Sequence, residues 1–478
     1  MLSQLWGVRV VVLVAAAASL SACRTFSPDG GMDAVATVAG QGLNKDVIQI
    51  RSAEDEAAVR ARVARLLHHP LSADAAVQIA LLNNLDLQAA YNRLGIAEAL
   101  AVKASRPPAL SVSFSDVSTP VELDIERKVI GSLLSLLTMP ARTRIASDEF
   151  AQAELQAAED TLRVAAETRR AYVRAVAARE IATVLGEAKA NAEASADLAG
   201  HLSQTGAINK LDLTRREVFA TETDAELVAV RQQATPAREK LTRLMGLWHS
   251  DLEADLPIAL PPVPGATRSA GTIEQNALNG RVDVQMARLE MEFMAKSYGL
   301  TRATHFLNVL EVAGFAKTQK DRGQTRGEGG GYELVLEVPL FDFGKANVRE
   351  AEQRYLEAAN HLGQLGINAA SEARAAYGAY RATYTIAKKY ENEVLPLHQT
   401  LSAEIELQYN AMQIDAFALL QAARERLRAR VAGVEARRNF WLASTDLSVA
   451  MLGGGNLASA PDAVLAAAQQ REHGLDKD

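Results

Sequence analysis

Laid against itself at an offset of a little over 200 residues, the chain repeats its own layout, so its fold must be one that a single pattern builds twice. The first copy opens with a helix-period stretch from Ser72 to about Ser105. Two short segments of alternating polarity follow, then a very long helical tract from about Ala141 to Leu202, a turn at Gly206 and a helix to Leu247. The second copy starts with a helix from about Thr272 to Thr301. It continues through two alternating segments around a glycine-rich loop to a long tract from Lys345 to Leu407, a turn near Met412 and a helix to Leu452. Ala171-Tyr172 aligns with Ala376-Tyr377, Leu244-Met245-Gly246 with Met451-Leu452-Gly453, and Ile208, Leu211 and Leu213 with Ile414, Phe417 and Leu419.

The first long tract has no proline and only Gly186 and Gly200, and its apolar residues recur at helical spacing, among them Val173, Val176, Ile181, Val184 and Leu185. In the second, Pro396 is expected to kink or interrupt the helix. About 62 residues at 1.5 Å each make roughly 90 Å of rod, too long to bury inside one compact domain. Two such rods with helices returning beside them indicate a coiled-coil-like shaft. Aromatic residues are only 5% of the chain and alanine is abundant, which favours long helices with closely approaching backbones. On the helices alone, a structural spacer or stalk is the simpler reading.

The alternating segments change that reading. Leu110, Val112 and Phe114 alternate with Ser111, Ser113 and Ser115, and Val121, Leu123 and Ile125 alternate with Glu122, Asp124 and Glu126. In the second copy Tyr332, Leu334, Leu336 and Val338 oppose Glu333, Val335 and Glu337, after a weaker strand from about Phe306 to Phe315. Period two gives each strand one apolar and one polar face. Carboxylates facing inward and aliphatics outward suit a water-filled barrel in lipid, with Glu122, Asp124, Glu126, Glu333 and Glu337 lining the lumen. A soluble amphipathic hairpin packed on helices would show the same alternation. After residue 23 no apolar run reaches eighteen residues, so a membrane crossing by the mature chain must use strands closed into a barrel. Four strands cannot close one, and an open edge cannot lie in hydrocarbon. Several chains must contribute: two copies give eight strands with a filled interior, three give twelve and a lumen.

The chain's single cysteine ends Leu20-Ser21-Ala22-Cys23, directly after an apolar run starting near Val8 with Arg9. That is the layout of a secretory signal peptide. The segment resembles a bacterial lipobox, which implies cleavage, acylation of Cys23 and, with Arg24 rather than Asp following, sorting to the outer membrane. An uncleaved anchor, or a small residue merely closing a signal peptide, is the plainer alternative. One cysteine permits no intrachain disulfide.

The chain from about Leu71 to Gly455 resembles the TolC-type outer-membrane efflux proteins. The resemblance rests on Leu71-Ser-Ala-Asp-Ala-Ala-Val with Asn83-Asn84-Leu85-Asp86, Gly206-Ala-Ile-Asn-Lys-Leu-Asp-Leu, Arg281-Val-Asp, Pro339-Leu-Phe-Asp-Phe-Gly344 and Tyr409-Asn-Ala-Met-Gln-Ile. The helix-opening segment, Leu244-Met-Gly-Leu-Trp248 and Leu137-Thr-Met-Pro-Ala-Arg look most like the heavy-metal efflux branch. The resemblance implies a mainly α fold with a transmembrane β-barrel portion: two repeats of long coiled-coil-like helices forming an α-barrel tunnel, and four strands per chain in a twelve-stranded barrel of a homotrimer. It implies a passive exit duct for small molecules or ions, joined to a periplasmic adaptor and an inner-membrane transporter, favouring the RND type. The chain departs from the pattern where Leu137-Thr-Met-Pro140 replaces the Pro-Leu-Phe-Asp-Phe-Gly segment in the first copy and where Met412 stands in place of a common glycine. It departs again where Ala418 and Gln421 replace acids that line the periplasmic aperture in many relatives. The expected division is 1–22 lipoprotein signal peptide, 23–70 lipid-anchored linker, 71–248 first repeat with its hairpin at 109–126, 249–271 linker, 272–455 second repeat with its hairpin at 306–338, and 456–478 tail.

In a conduit the chemistry is electrostatic, since ringed carboxylates repel anions and attract cations. Asp212 and Asp415 are the candidate aperture acids; the competing roles are a first-turn helix acid for Asp212 and an N-cap for Asn209 or Asp415. Gly206, Ile208, Leu211, Met412, Ile414 and Phe417 are the candidate adaptor-docking residues, or else pack on one another to close the turns. His68-His69 in the linker and the lone His201 lack ligand partners in sequence, and Gly327-Glu-Gly-Gly-Gly331 reads as a hairpin loop. There is no nucleophile elbow, His-Glu-x-x-His or Walker segment, so neither catalysis, cofactor nor resident metal is expected. Net charge of −7, with bases interleaved among acids, argues against nucleic acid as partner. A periplasmic coiled-coil lipoprotein without a pore, and a protein-secretion duct of the same architecture, are the alternatives.

Overall fold

Ser52, Ser72, Asn209 and Asp415 each turn a side-chain oxygen onto the backbone N–H three residues ahead, and in all four cases a helix begins at the next residue. The computed structural model describes residues 25–119, 122–248, 255–269, 271, 273–321 and 324–453. Cys23 and the tail 456–478 lie outside them. The elements are α1 (Met32–Val38), continued by a π turn (Ala39–Leu43), α2 (Ala53–Leu67), α3 (Ala73–Asn83), α4 (Leu85–Ala104), β1 (Ser111–Ser118), β2 (Glu122–Ser132), α5 (Leu133–Gln204) and α6 (Lys210–Leu244). Then come α7 (Ile273–Gly280), α8 (Val282–Thr304), β3 (Val309–Asp321), β4 (Gln324–Glu337), α9 (Lys345–Lys389), a π turn (Tyr390–Val394), α10 (Leu395–Asn410) and α11 (Ala416–Leu452). The chain divides into two compact units, and each sequence copy contributes to both.

The first unit comprises 91–157 and 284–366 with the chain before residue 35. Its centre is one antiparallel sheet in the order β1-β2-β3-β4. The glycine-rich run expected as a hairpin loop is instead the middle of β4: Gly327, Gly329, Gly330 and Gly331 pair with Gln319, Lys317, Ala316 and Phe315. At Gly331 the Phe315 ring lies across the strand, and an added Cβ would come 2.9 Å from it and displace it. A second correction concerns Leu137–Pro140, expected to leave the first hairpin as Pro339–Gly344 leaves the second. It lies inside α5, which starts directly after β2 and continues through Pro140. Pro140 stands past the first turn of α5, so the helix runs on without the bond that a backbone N–H there would make to the Leu136 carbonyl. At the second exit Phe343 and Gly344 both take positive φ, and a Cβ on Gly344 would overlap the His305 carbonyl oxygen. Asp342 accepts hydrogen bonds from the N–H groups of Gly344 and Ala346. These bonds hold its carboxyl below the usual carboxylate range. Near the chain's first described residues, Ser27 donates from its N–H and hydroxyl to the buried Glu98, at 2.6 and 2.5 Å.

The second unit comprises 35–90, 158–283 and the chain from 367. Its main core gathers Tyr172, Val176, Ile181 and Leu185 of α5 with Ile79 and Leu82 of α3 and Leu241 of α6. The duplication is visible in equivalent contacts. Tyr172 donates to the Leu71 carbonyl at 2.9 Å and Tyr377 to that of Arg268 at 3.3 Å, in each case the segment ahead of that copy's opening helix. Gly246 at φ +66° would, with a Cβ, overlap the Asn83 carbonyl oxygen, and Gly453 at φ +87° would stand 3.2 Å from the Val282 nitrogen. Each copy thus clamps the end of its last helix onto the middle of its first.

That clamp breaks the opening helices, which were expected to run unbroken from Ser72 to Ser105 and from Thr272 to Thr301. The first is divided at Asn84 and the second at Arg281. Asn84 accepts from the Leu87 N–H and donates to the Leu244 carbonyl, while Asn83 donates to the carbonyls of Met245 and Gly246. Arg281, buried, is forked onto Asp283 and also bound to Glu372. The segment 23–70, expected as a linker, holds α1 and α2. Its extended stretch 46–50 is fastened by two buried glutamines. Gln78 exchanges bonds with Asp46, and Gln88 with Ile48 and Ile50. Pro396 interrupts as expected: the π turn Tyr390–Val394 absorbs its missing N–H.

Candidate functional site

Two turns of the second unit have one backbone. At the first, the Ala207 N–H bonds the Leu202 carbonyl and the Gly206 N–H that of Ser203; at the second, Gln413 bonds Gln408 and Met412 bonds Tyr409. Both are Schellman ends, which need a left-handed residue one place past the cap. Gly206 fills that place at φ +73° and Met412 at φ +57°, so methionine holds a conformation that favours glycine. Its side chain is 93% exposed. Asn209 and Asp415 then occupy equivalent capping positions, receiving the N–H groups of Asp212 and Ala418 at 2.8 and 3.0 Å.

One contact links the two predicted tips, through Arg215 and Phe417. Asp212 lies in the first turn of α6, 3.5 Å from Arg215, whose guanidinium sits 4.6 Å from the centre of the Phe417 ring. Asp415 is engaged as the cap of α11. Leu211, Met412 and Phe417 are exposed, and Ile208 and Ile414 half-buried. Further along, Arg424 stacks on Phe219 and pairs with Glu222, while Lys189 pairs with Asp224. Arg215 was missed in sequence, although its position three residues after Asp212 on a helix was a sufficient signal. His201 is exposed in the last turn of α5, and His68 and His69 are exposed at the end of α2.

Strand register decides the second candidate set. Directly paired residues share a face. Glu122, Asp124 and Glu126 pair with Asp321, Gln319 and Lys317, while Glu333 and Glu337 pair with Ala313 and Val309. By alternation all five predicted carboxylates lie on one face, together with Glu311, Asp321, Lys128 and Lys317. Lys128 bonds Glu333 at 2.5 Å and Lys317 bonds Asp124 at 2.7 Å, ties between non-neighbouring segments that sequence alternation did not reveal. The opposite face carries Val112, Phe114, Val129, Val312, Tyr332, Leu334 and Leu336, all exposed. No helix among the described residues is long and apolar enough to cross a membrane.

This architecture, long helices with one four-stranded antiparallel sheet, is shared with solved outer-membrane channel proteins. Solved structures that it resembles include CmeC, the outer-membrane channel of Campylobacter jejuni, at TM-score 0.69 and 17% identity over 83% of this chain and 88% of that one. Others are CusC, at 0.68 and 18% over 80% and 92%, and the open MtrE channel of Neisseria gonorrhoeae, at 0.67 and 16% over 82% and 89%. The mainly helical fold with four antiparallel strands that the resemblance to TolC-type proteins implied is the fold observed. No protein-family model matches the chain, and no curated protein matches it.

Proposed function

We propose that the chain is one subunit of a homotrimeric TolC-type efflux duct in the bacterial outer membrane, anchored there through an acylated Cys23 and extending into the periplasm. One observation carries the reading: a sheet that gathers the five carboxylates on one face and exposes Val112, Phe114, Val129, Tyr332, Leu334 and Leu336 on the other, where Asp116 and Arg127 interrupt the apolar surface, and whose outer strands β1 and β4 each keep one edge unpaired among the described residues. In hydrocarbon every backbone N–H and C=O needs a partner, so such edges must be paired by further copies. Three copies give twelve strands and an acidic water-filled lumen, the family's arrangement. β2, β3 and β4, at 11, 13 and 14 residues, meet the length a tilted strand needs to cross, and β1, at 8, falls just below it.

The duct is passive and not an enzyme. It serves small molecules or ions delivered by an inner-membrane transporter of the RND type through a periplasmic adaptor, which meets the turns at Gly206 and Met412. Asp212 and Asp415 form the acidic rim of the aperture at those turns. Native mass measurement in mild detergent, followed by recording in planar lipid bilayers, tests the proposal. A heat-resistant trimer with cation-selective conductance is expected. A monomer without conductance would leave a pore-free periplasmic lipoprotein as the better reading.

A further inference from the structure

The carboxylate-bearing face of the sheet holds one residue that an acidic, water-filled wall does not call for. Phe315 stands midway along β3, and by register it shares that face with Lys128 on one side and Gly331 on the other. It is the only aromatic residue of that face among the described strand positions. The far edge of its ring lies over Gly331, where an added Cβ would come 2.9 Å from Cζ and 3.2 Å from Cε1. Lys128 reaches across β3 to Glu333 at 2.5 Å, and Ala313, next to Phe315 on the same face, is 2% exposed. The ring is therefore held at its edges yet stays half-buried rather than covered. Further along β4, Gly329 and Gly327 continue the same face as exposed bare backbone.

We propose that Phe315 is a stacking site in the conduit for flat aromatic cations. The inference rests on the reading of this face as the lumen wall, and it narrows the class of cargo. Two groups of the ligand meet two features of the wall. Its ring stacks on the open side of Phe315 and extends over the glycine floor, where no side chain stands in the way. Its charge is drawn by the same face, on which the five carboxylates with Glu311 and Asp321 outnumber Lys128 and Lys317. A flat anion would meet repulsion there, and a cation without a ring would find charge but no stacking partner. In three copies the ledge recurs at one depth around the lumen. Each ledge is open on one side, so a ligand is held weakly and released, as conduction requires. Phe315 also shields the glycine strand beneath it, a role that asks nothing of the solute.

The test uses the full-length trimer in lipid nanodiscs, with empty nanodiscs as the blank. Saturation-transfer NMR is recorded on N-methylquinolinium, on tetramethylammonium and on a quinoline carboxylate. The quinolinium should bind several-fold more tightly than either of the others. Phe315→Leu should abolish that preference and Phe315→Tyr should keep it. Equal binding of the three probes would overturn the proposal, and so would a preference that survives Phe315→Leu. Where Phe315→Leu does not assemble, Phe315→Trp decides: its larger face should tighten quinolinium binding alone, and no tightening would overturn the proposal. Planar-bilayer recording of the same trimer separates the premise. Conductance without the binding preference would remove the ledge and leave the duct, whereas absence of conductance would refute the lumen reading itself.

Discussion

Replacing Gly246 by alanine separates two costs that glycine can hide. At φ +66° a Cβ is disfavoured by about 1–2 kcal/mol wherever it points. Here it also overlaps the Asn83 carbonyl oxygen and stands 3.0 Å from the carbonyl carbon, so the two helix segments must move apart. That movement loosens three amide bonds, from Asn83 to Met245 at 3.1 Å and to Gly246 at 2.8 Å and from Asn84 to Leu244 at 2.9 Å. At about 1 kcal/mol each, their loss brings the total to about 4–5 kcal/mol. Gly206 supplies the control: its φ is +73° and nothing lies within 4 Å of an added Cβ, so alanine there costs only the conformational part, about 1–2 kcal/mol. Gly453, 3.2 Å from the Val282 nitrogen, falls between. Denaturant unfolding followed by helical circular dichroism should rank Gly206→Ala, Gly453→Ala and Gly246→Ala in rising order of damage. Equal losses at the three sites would refute the clamp.

Burial, reinforced by the Asp74 charge, pushes the Tyr172 hydroxyl up to about 12. Unfolded tyrosine ionises near pH 10, so between about pH 10 and 12 the unfolded chain releases a proton the folded chain keeps, and stability falls by on the order of 2–3 kcal/mol. Tyr172→Phe should flatten that alkaline limb in thermal melts while costing about 1 kcal/mol at neutral pH for the lost bond to Leu71. On the polar face of the sheet, Lys128→Gln and Lys317→Gln each free a carboxylate. Reversal potentials in a salt gradient should shift toward stronger cation selectivity, and unchanged potentials would place that face outside the conduction path. Asp212→Ala should lower both conductance and cation selectivity, whereas unaltered single-channel records would remove Asp212 from the rim and leave it as a first-turn helix acid.

The features legible in the sequence were those with a period. Alternation in β2 and β4 assigned the five carboxylates to one face, and helical spacing located the long rods and both turns. The glycine run in β4 was misread because glycine has no side chain to alternate; what makes it strand is its backbone pairing with β3, a partner outside the run. Leu137–Pro140 was misread because proline was taken as a boundary, whereas α5 runs on through Pro140 and forgoes the bond its N–H would have made. The breaks at Asn84 and Arg281 were overlooked because their local signals, a capping bond to Leu87 and a fork onto Asp283, gain force only from Leu244 and Glu372, more than ninety residues away along the chain. The same limit hid Lys128 and Lys317, whose significance depends on strand neighbours.

The two Schellman turns offer one shape with two surfaces. A docking protein that recognised backbone alone would find Gly206 and Met412 interchangeable, and three chains would give it six equal seats. In the proposed trimer the protruding thioether at one turn and the bare glycine at the other would break that equality into two sets of three. A partner built of paired, slightly different helical hairpins could therefore lock in only one rotational phase.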